Sequence, residues 1–140
     1  MPVKPIPEAY HAVTPYLVVR GVRKLIEFLK QAFDAKETEF VDMGNGYVHA
    51  EVRIGDSIVM MGEADPAPAC LYLYVNDVDA TYKRALRTGA TSLSEPTDHF
   101  YGDRSAAVKD PCGNTWYIAT HKEDVSPEEL RRRVAAQPRL

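Results

Sequence analysis

Cysteine is scarce in this chain: Cys70 and Cys112 are the two in 140 residues, 42 positions apart, in neither a zinc nor a redox spacing. That excludes a disulfide scaffold, and a chain this long buries about two-thirds of its unfolded surface without such a staple. An excess of one charge is missing too. Seventeen basic residues against 20 acidic ones leave a net charge of −3, so no global basic field recruits nucleic acid or anionic lipid. No uncharged apolar run approaches the length of a membrane span. Met1-Pro2-Val3-Lys4-Pro5 lacks the apolar stretch of a secretory signal, and a reduced, cytoplasmic location is the expectation. What remains, at 45% hydrophobic and 26% charged residues, is the composition of an ordinary globular protein.

An internal repeat organises what is there. Residues 14–20 form a β-branched and aromatic run typical of a strand. After Gly21, the positions Val22, Leu25, Ile26, Leu29 and Phe33 recur at helical spacing. Residues 70–76 read as a second strand of the same kind. A helix marked by Val78, Tyr82, Ala85 and Leu86 follows and is closed by Gly89. A shift of 56 places Tyr16 on Tyr72, Leu17 on Leu73, Val19 on Val75, Val22 on Val78 and Ile26 on Tyr82. Strand signals follow each helix, near 36–43, 47–54 and 57–62 in the first half and 91–93, 104–109 and 114–120 in the second. The pattern is βαβββ twice, an α+β fold. Each module has one helix for one sheet face, so the other face closes against its twin. Two βαβββ modules then form a cupped antiparallel sheet, or half-barrel, with the helices on the convex side.

The expected organisation is one structural domain in four stretches: a first module at 10–62, a proline-stiffened linker at 63–69, a second module at 70–121, and a C-terminal helix and tail at 122–140. Ser126-Pro127-Glu128-Glu129 is a capping box that starts that helix, and Arg131-Arg132-Arg133 reads as its solvated face. Residues 94–103 read as a long loop peculiar to the second module, and long loops in compact domains tend to be functional.

Several stretches carry a family resemblance: His11-Ala-Val-Thr-Pro-Tyr-Leu-Val-Val, Ile26-Glu-Phe-Leu-Lys-Gln-Ala-Phe and His49-Ala-Glu-Val-Arg-Ile-Gly-Asp-Ser in the first half, then Phe100-Tyr-Gly-Asp-Arg, Asp110-Pro-Cys-Gly-Asn-Thr-Trp and Thr120-His-Lys-Glu-Asp-Val-Ser-Pro-Glu-Glu. Together they resemble the vicinal oxygen chelate superfamily of glyoxalase I, bleomycin-resistance proteins and extradiol dioxygenases, most closely its PhnB-like branch. Metal-dependent members hold one divalent ion with four side chains, one in each of four equivalent strand places. The resemblance puts those places on Thr14, Met60, Cys70 and Tyr117, spaced 56 and 57 apart as two-fold partners should be. None is His, Glu or Asp, so no cofactor is expected, with a divalent metal held by other residues as the alternative. The resemblance also implies a homodimer, because modules in this superfamily often pair between subunits.

The residues themselves suggest the rest of the site. On the strand 47–54, alternation sends Val48, Ala50 and Val52 to the helices and His49, Glu51 and Arg53 to the cup. His49 and Glu51 read as a hydrogen-bonded pair, as polar contacts to a ligand, as an acid–base pair, or as two metal ligands wanting a third from His11, His99 or His121. Tyr16, Tyr72, Tyr74 and Tyr117 share the cup side and suit a planar or amphipathic molecule. Phe100, Tyr101 and Arg104 are expected to close over the cup, Arg104 binding an acidic group or else pairing with Asp103 or Asp98 to pin the loop. Trp116 reads as core, and nothing near Cys112 activates its thiol. The expected function is binding of a small, partly aromatic or anionic molecule in a tyrosine-lined cup. The alternative is a metal-dependent lyase, isomerase or dioxygenase. If Arg104 is a ligand contact, Arg104→Ala weakens the ligand and spares the fold.

Overall fold

The fold follows from the repeat, module by module. The computed structural model describes residues 2–137, so the end of the tail expected at 122–140 lies outside the described residues. The first module runs β1 (Tyr16–Val19), α1 (Val22–Phe33), β2 (Lys36–Asp42), β3 (Val48–Ile54) and β4 (Ser57–Glu63). The second runs β5 (Cys70–Tyr74), α2 (Val78–Arg87), β6 (Thr91–Asp98), β7 (Asp103–Lys109) and β8 (Thr115–His121), and α3 (Pro127–Ala135) follows. Each module makes its own four-stranded sheet, ordered β1-β4-β3-β2 and β5-β8-β7-β6. The sheets are mixed, because each helix carries the chain across to the far edge before two antiparallel strands fill the gap. The pairs β1–β4 and β5–β8 are therefore parallel. No helix among the described residues is long and apolar enough to cross a membrane.

Both helices start on a side chain supplied by the last strand of their sheet. Gly21 caps α1 in a left-handed conformation (φ 96°) and has no side chain to satisfy the first N–H groups. The Glu63 carboxylate accepts from the Gly21 and Val22 amides at 2.8 and 2.9 Å. Those two bonds lead the lowering of the Glu63 pKa. In the second module Thr120, at the two-fold equivalent place, accepts from the Val78 amide at 2.9 Å. Asp77 adds an N-cap bond from the Ala80 amide.

The helix-facing strand residues, Leu17, Val19, Ala50, Val52 and Met61 in one module and Ala106, Val108, Trp116 and Ile118 in the other, join one buried core with both helices. Phe33, ending α1, packs on Trp116 of β8 with ring centroids 5.0 Å apart. The Arg84 guanidinium on α2 donates to the Ala32 carbonyl at 3.1 and 2.8 Å, tying the helix ends together. Between the modules, the Ala64 and Ala67 amides bond to Val19 and Val18, so the connecting segment follows the outer edge of β1.

Two boundaries differ from expectation. Strand β1 starts at Tyr16 and not at Thr14, Pro15 having no N–H for the ladder. Strand β6 extends to Asp98, although Glu95-Pro96 reads as a break. β6 is the outer strand of its sheet and its pairing is irregular between Ser92 and Thr97, the setting in which a sheet tolerates proline. The long loop expected at 94–103 thereby shrinks to a turn at 99–102. The His99 amide bonds to the Asp103 carbonyl, the Lys122 amide bonds to the Gly102 carbonyl, and Arg133 of α3 donates to the Phe100 carbonyl.

The turn after β7 holds the core's one tryptophan. Buried Asp110 accepts from the Trp116 indole at 2.9 Å and from the Cys112 amide, the Asn114 amide and the Asn114 side chain. Asp110→Ala leaves those donors buried and unmet, so unfolding free energy in urea should fall by about 3 kcal/mol or more. A loss under about 1 kcal/mol would show that water replaces the carboxylate freely.

Candidate functional site

Strand alternation decides what each sheet presents on its helix-free face. In the second module the small residues Ser105, Ala107 and Ala119 lie between larger side chains, with Ala119 level with both Tyr74 and Ser105. That leaves room for Tyr72, Tyr74 and Tyr117 to lie over the sheet. Tyr72 stacks on Tyr117 with centroids 5.9 Å apart and meets Tyr74 at 5.2 Å. Tyr16, Tyr72, Tyr74, Tyr101 and Tyr117 stay between 39% and 60% exposed, a large amount of aromatic surface for a small protein to leave in water.

Asp103 anchors this group. Its carboxylate is 5% exposed and accepts from the Tyr72 and Tyr74 hydroxyls at 2.8 and 2.9 Å and from His121 Nδ1 at 2.8 Å. Burial pushes the Asp103 pKa up, but the bonds from His121, Tyr72 and Tyr74 outweigh it and leave it below its ordinary value. The phenols move the other way. Burial and the Asp103 contact raise Tyr72, and the Asp103 hydrogen bond leads the rise of Tyr74. Both hydroxyls stay protonated and aimed at Asp103, so what these residues present to solvent is their rings. His121 also reaches Asp124 from Nε2 at 2.8 Å, and its two carboxylate partners raise its pKa.

The first module repeats the theme with different parts. Glu51 is 4% exposed, accepts from the Tyr10 hydroxyl and lies 2.8 Å from His49 Nε2. Burial raises its pKa, and the Tyr10 and His49 bonds bring it below the ordinary value. The Glu51 hydrogen bond is the main reason Tyr10 is pushed up to about 12. The Tyr16 ring lies 5.9 Å from the His49 ring, and its hydroxyl passes over Gly62, where any Cβ would collide with it. Glu39, directly across from Glu51 on β2, completes a group in which one donor atom each from Glu39, His49 and Glu51 lie within 4.8 Å of one another.

The expected site residues thus divide into several environments. His49, Glu51 and Tyr16 come together; Tyr72 bonds to Asp103 and stacks on Tyr117, while Tyr101 lies in the turn against His99 and Phe100. Met60 is level with Tyr16 and Tyr117 with Tyr72, which sets Thr14, just before β1, and Cys70, at the start of β5, two residues away from those levels. Thr14 donates to the His11 carbonyl at 3.0 Å, and Cys70 is exposed. A thioether, a phenol, a hydroxyl and a lone thiol do not make the four-ligand metal centre of the superfamily, and the register separates them further.

Arg104 requires a correction. Asp103 faces the tyrosines, so Arg104 points to the opposite side and makes a bidentate contact with Asp79 of α2 at 2.9 Å, reaching Asp98 at 3.4 Å. Of the expected roles only the pairing with Asp98 is present; the guanidinium is not a free cation at the cup mouth, and it does not pair with Asp103. Phe100 and Tyr101 sit in the tethered turn, where Tyr101 stacks on His99 at 5.0 Å. Sequence reasoning missed Tyr10, Glu39 and Asp103, although the parity of Asp103 with Ser105 and Ala107 was a usable signal. A cavity of about 780 Å³ is a groove between the modules along β5, lined by Ile54, Leu71, Leu73, Arg84 and Trp116 and bordered by Tyr72 and Tyr74, with neither Glu51 nor Asp103 in its lining.

A family model described as "Glyoxalase/Bleomycin resistance protein/Dioxygenase superfamily" matches residues 10–118. An uncharacterized protein of Mycobacterium bovis is 32% identical over 142 aligned positions, covering 90% of this chain and 93% of the relative. Among solved structures, a hypothetical protein from S. aureus superposes with a TM-score of 0.63 at 25% identity, covering 79% of this chain and 96% of the other. The fosfomycin resistance protein FosX of Listeria monocytogenes superposes at 0.69 with 17% identity, covering 86% and 97%, a likeness of fold alone.

The Asp103–His121 pair gives a pH test. His121 titrates above its ordinary 6.5, so its share of stability is full below that value and is lost as pH rises through the shifted pKa. Asp103 titrates below 3.8, so its share is present above that value and is lost as pH falls through the lowered pKa. An NMR titration should place the His121 midpoint above 6.5 in the wild type and lower it in Asp103→Asn. An unchanged midpoint in the variant contradicts the contact.

Proposed function

Because the chain belongs to the glyoxalase/bleomycin resistance protein/dioxygenase superfamily, we propose that it binds a small, planar, partly aromatic molecule on the tyrosine-lined faces of its sheets, in a cup completed by a second copy of the chain. We place it in the PhnB-like branch, acting in the cytoplasm as a binding protein with no metal at Thr14, Met60, Cys70 or Tyr117. The observation that carries the reading is the exposed stack of Tyr72, Tyr74 and Tyr117, with two of its hydroxyls held inward by Asp103. Rings fixed by their polar ends lose little freedom when a flat molecule lies on them, so stacking is gained at low entropic cost. An acidic ligand group loses its expected partner, since Asp79 and Asp98 hold Arg104. The aromatic half of the expectation is the half with support.

Two observations favour a second copy as the other wall. The tyrosine faces are open to solvent, and β5 is the outer strand of its sheet with a free edge beside them. The similar Listeria structure is named for fosfomycin resistance, which accords with a small-molecule role.

A thermal-shift screen over planar aromatic metabolites and antibiotics should yield ligands that quench tyrosine fluorescence. Tyr117→Ala should then weaken the best of them by about 1.5–3 kcal/mol, because Tyr117 stacks without a structural hydrogen bond to lose. Binding unchanged in Tyr117→Ala, or a monomer by light scattering at micromolar concentration, contradicts the proposal.

A further inference from the structure

Glu39 and Glu51 face each other directly across β2 and β3 on the helix-free side, with His49 beside them. Like charges opposite one another on adjacent strands destabilise a sheet. Among the described residues no lysine or arginine forms an ion pair with either carboxylate, and Glu51 is 4% exposed. The carboxylates therefore have the His49 imidazole, and no lysine or arginine, beside them at the point where three donor atoms already lie within 4.8 Å of one another. A β-bulge between Glu37 and Glu39 turns Glu39 onto this face, so the backbone itself builds the cluster.

We propose that Glu39, His49 and Glu51 bind a divalent transition-metal ion of the zinc type, a site separate from the superfamily's metal positions and beyond the aromatic-binding role. One imidazole nitrogen and two carboxylate oxygens are the donors that zinc, cobalt or manganese prefers, whereas magnesium and calcium favour all-oxygen sites. Tetrahedral zinc with bonds of about 2.0–2.2 Å sets its ligand atoms about 3.3–3.5 Å apart. Small side-chain rotations reach that from the present spacing, since His49 Nε2 and Glu51 Oε2 are 2.8 Å apart and Glu39 is exposed on an edge strand. Three protein donors leave a position for water or for an oxygen of a bound molecule, and the Tyr10 hydroxyl on Glu51 fixes that carboxylate from behind.

The test is calorimetric titration of zinc chloride into chelator-treated full-length protein, with cobalt as a spectroscopic substitute. About one ion per chain should bind and raise the melting temperature, and cobalt should give a visible d–d band. Excess magnesium should not compete. Glu39→Gln, an isosteric change at an exposed edge-strand position, should weaken zinc by about tenfold or more, and His49→Ala should do so further. Tyr117→Ala should bind zinc normally, so failure here leaves the aromatic reading standing and the reverse also holds. Absence of binding, wild-type affinity in Glu39→Gln, or zinc lost in His121→Ala but kept in His49→Ala each overturns the site.

Discussion

A carboxylate taken out of water must be met by donors, and this requirement shapes both helix-free faces. Glu51 and Asp103 are each about as buried as a core residue. Each is met by a phenol and an imidazole: Tyr10 and His49 on one, Tyr72, Tyr74 and His121 on the other. Bringing those partners in fixes the rings around them. The aromatic surface is thus a consequence of where the charges are buried, and its order comes from hydrogen bonds at its base.

The helical side of each sheet solves a different problem twice. An edge-to-edge crossover starts each helix beside the last strand of its module, and that strand supplies the acceptor, Glu63 in one copy and Thr120 in the other. The duplicated geometry tolerates a change of residue because the need is only for an oxygen at the helix start. Between the copies, Phe33 on Trp116 and Arg84 on the end of α1 make one core of two modules. The helices are thereby committed to each other, and the tyrosine faces are left for something else.

Much of this was legible in the sequence. The 56-residue shift, the helical stripes and the capping box at Ser126 gave the element order, and alternation put His49 and Glu51 on the correct face. What escaped was governed by features with no local signature. The bulge before Glu39 reverses the face on which that residue sits, so simple alternation assigns it to the helix side. Pro96 hid the extension of β6 because edge-strand tolerance is a property of the sheet, not of the residue. Arg104 and Asp103 are neighbours in sequence, yet adjacent strand residues face opposite ways, which gives Asp103 to the tyrosines and Arg104 to Asp79. Tyr10 arrives from the segment that precedes β1, and no periodicity reports such a contact.

We propose that a small molecule binds on the tyrosine faces and not in the groove between the modules. Mapping amide and aromatic NMR shifts during titration with a planar aromatic ligand tests it most directly. Perturbations should centre on Tyr117, Tyr16, Asp103 and His121, none of which lines the groove, whereas Tyr72 and Tyr74 border both. Shifts confined to Leu71, Leu73, Arg84 and Arg87, which line the groove, would contradict it.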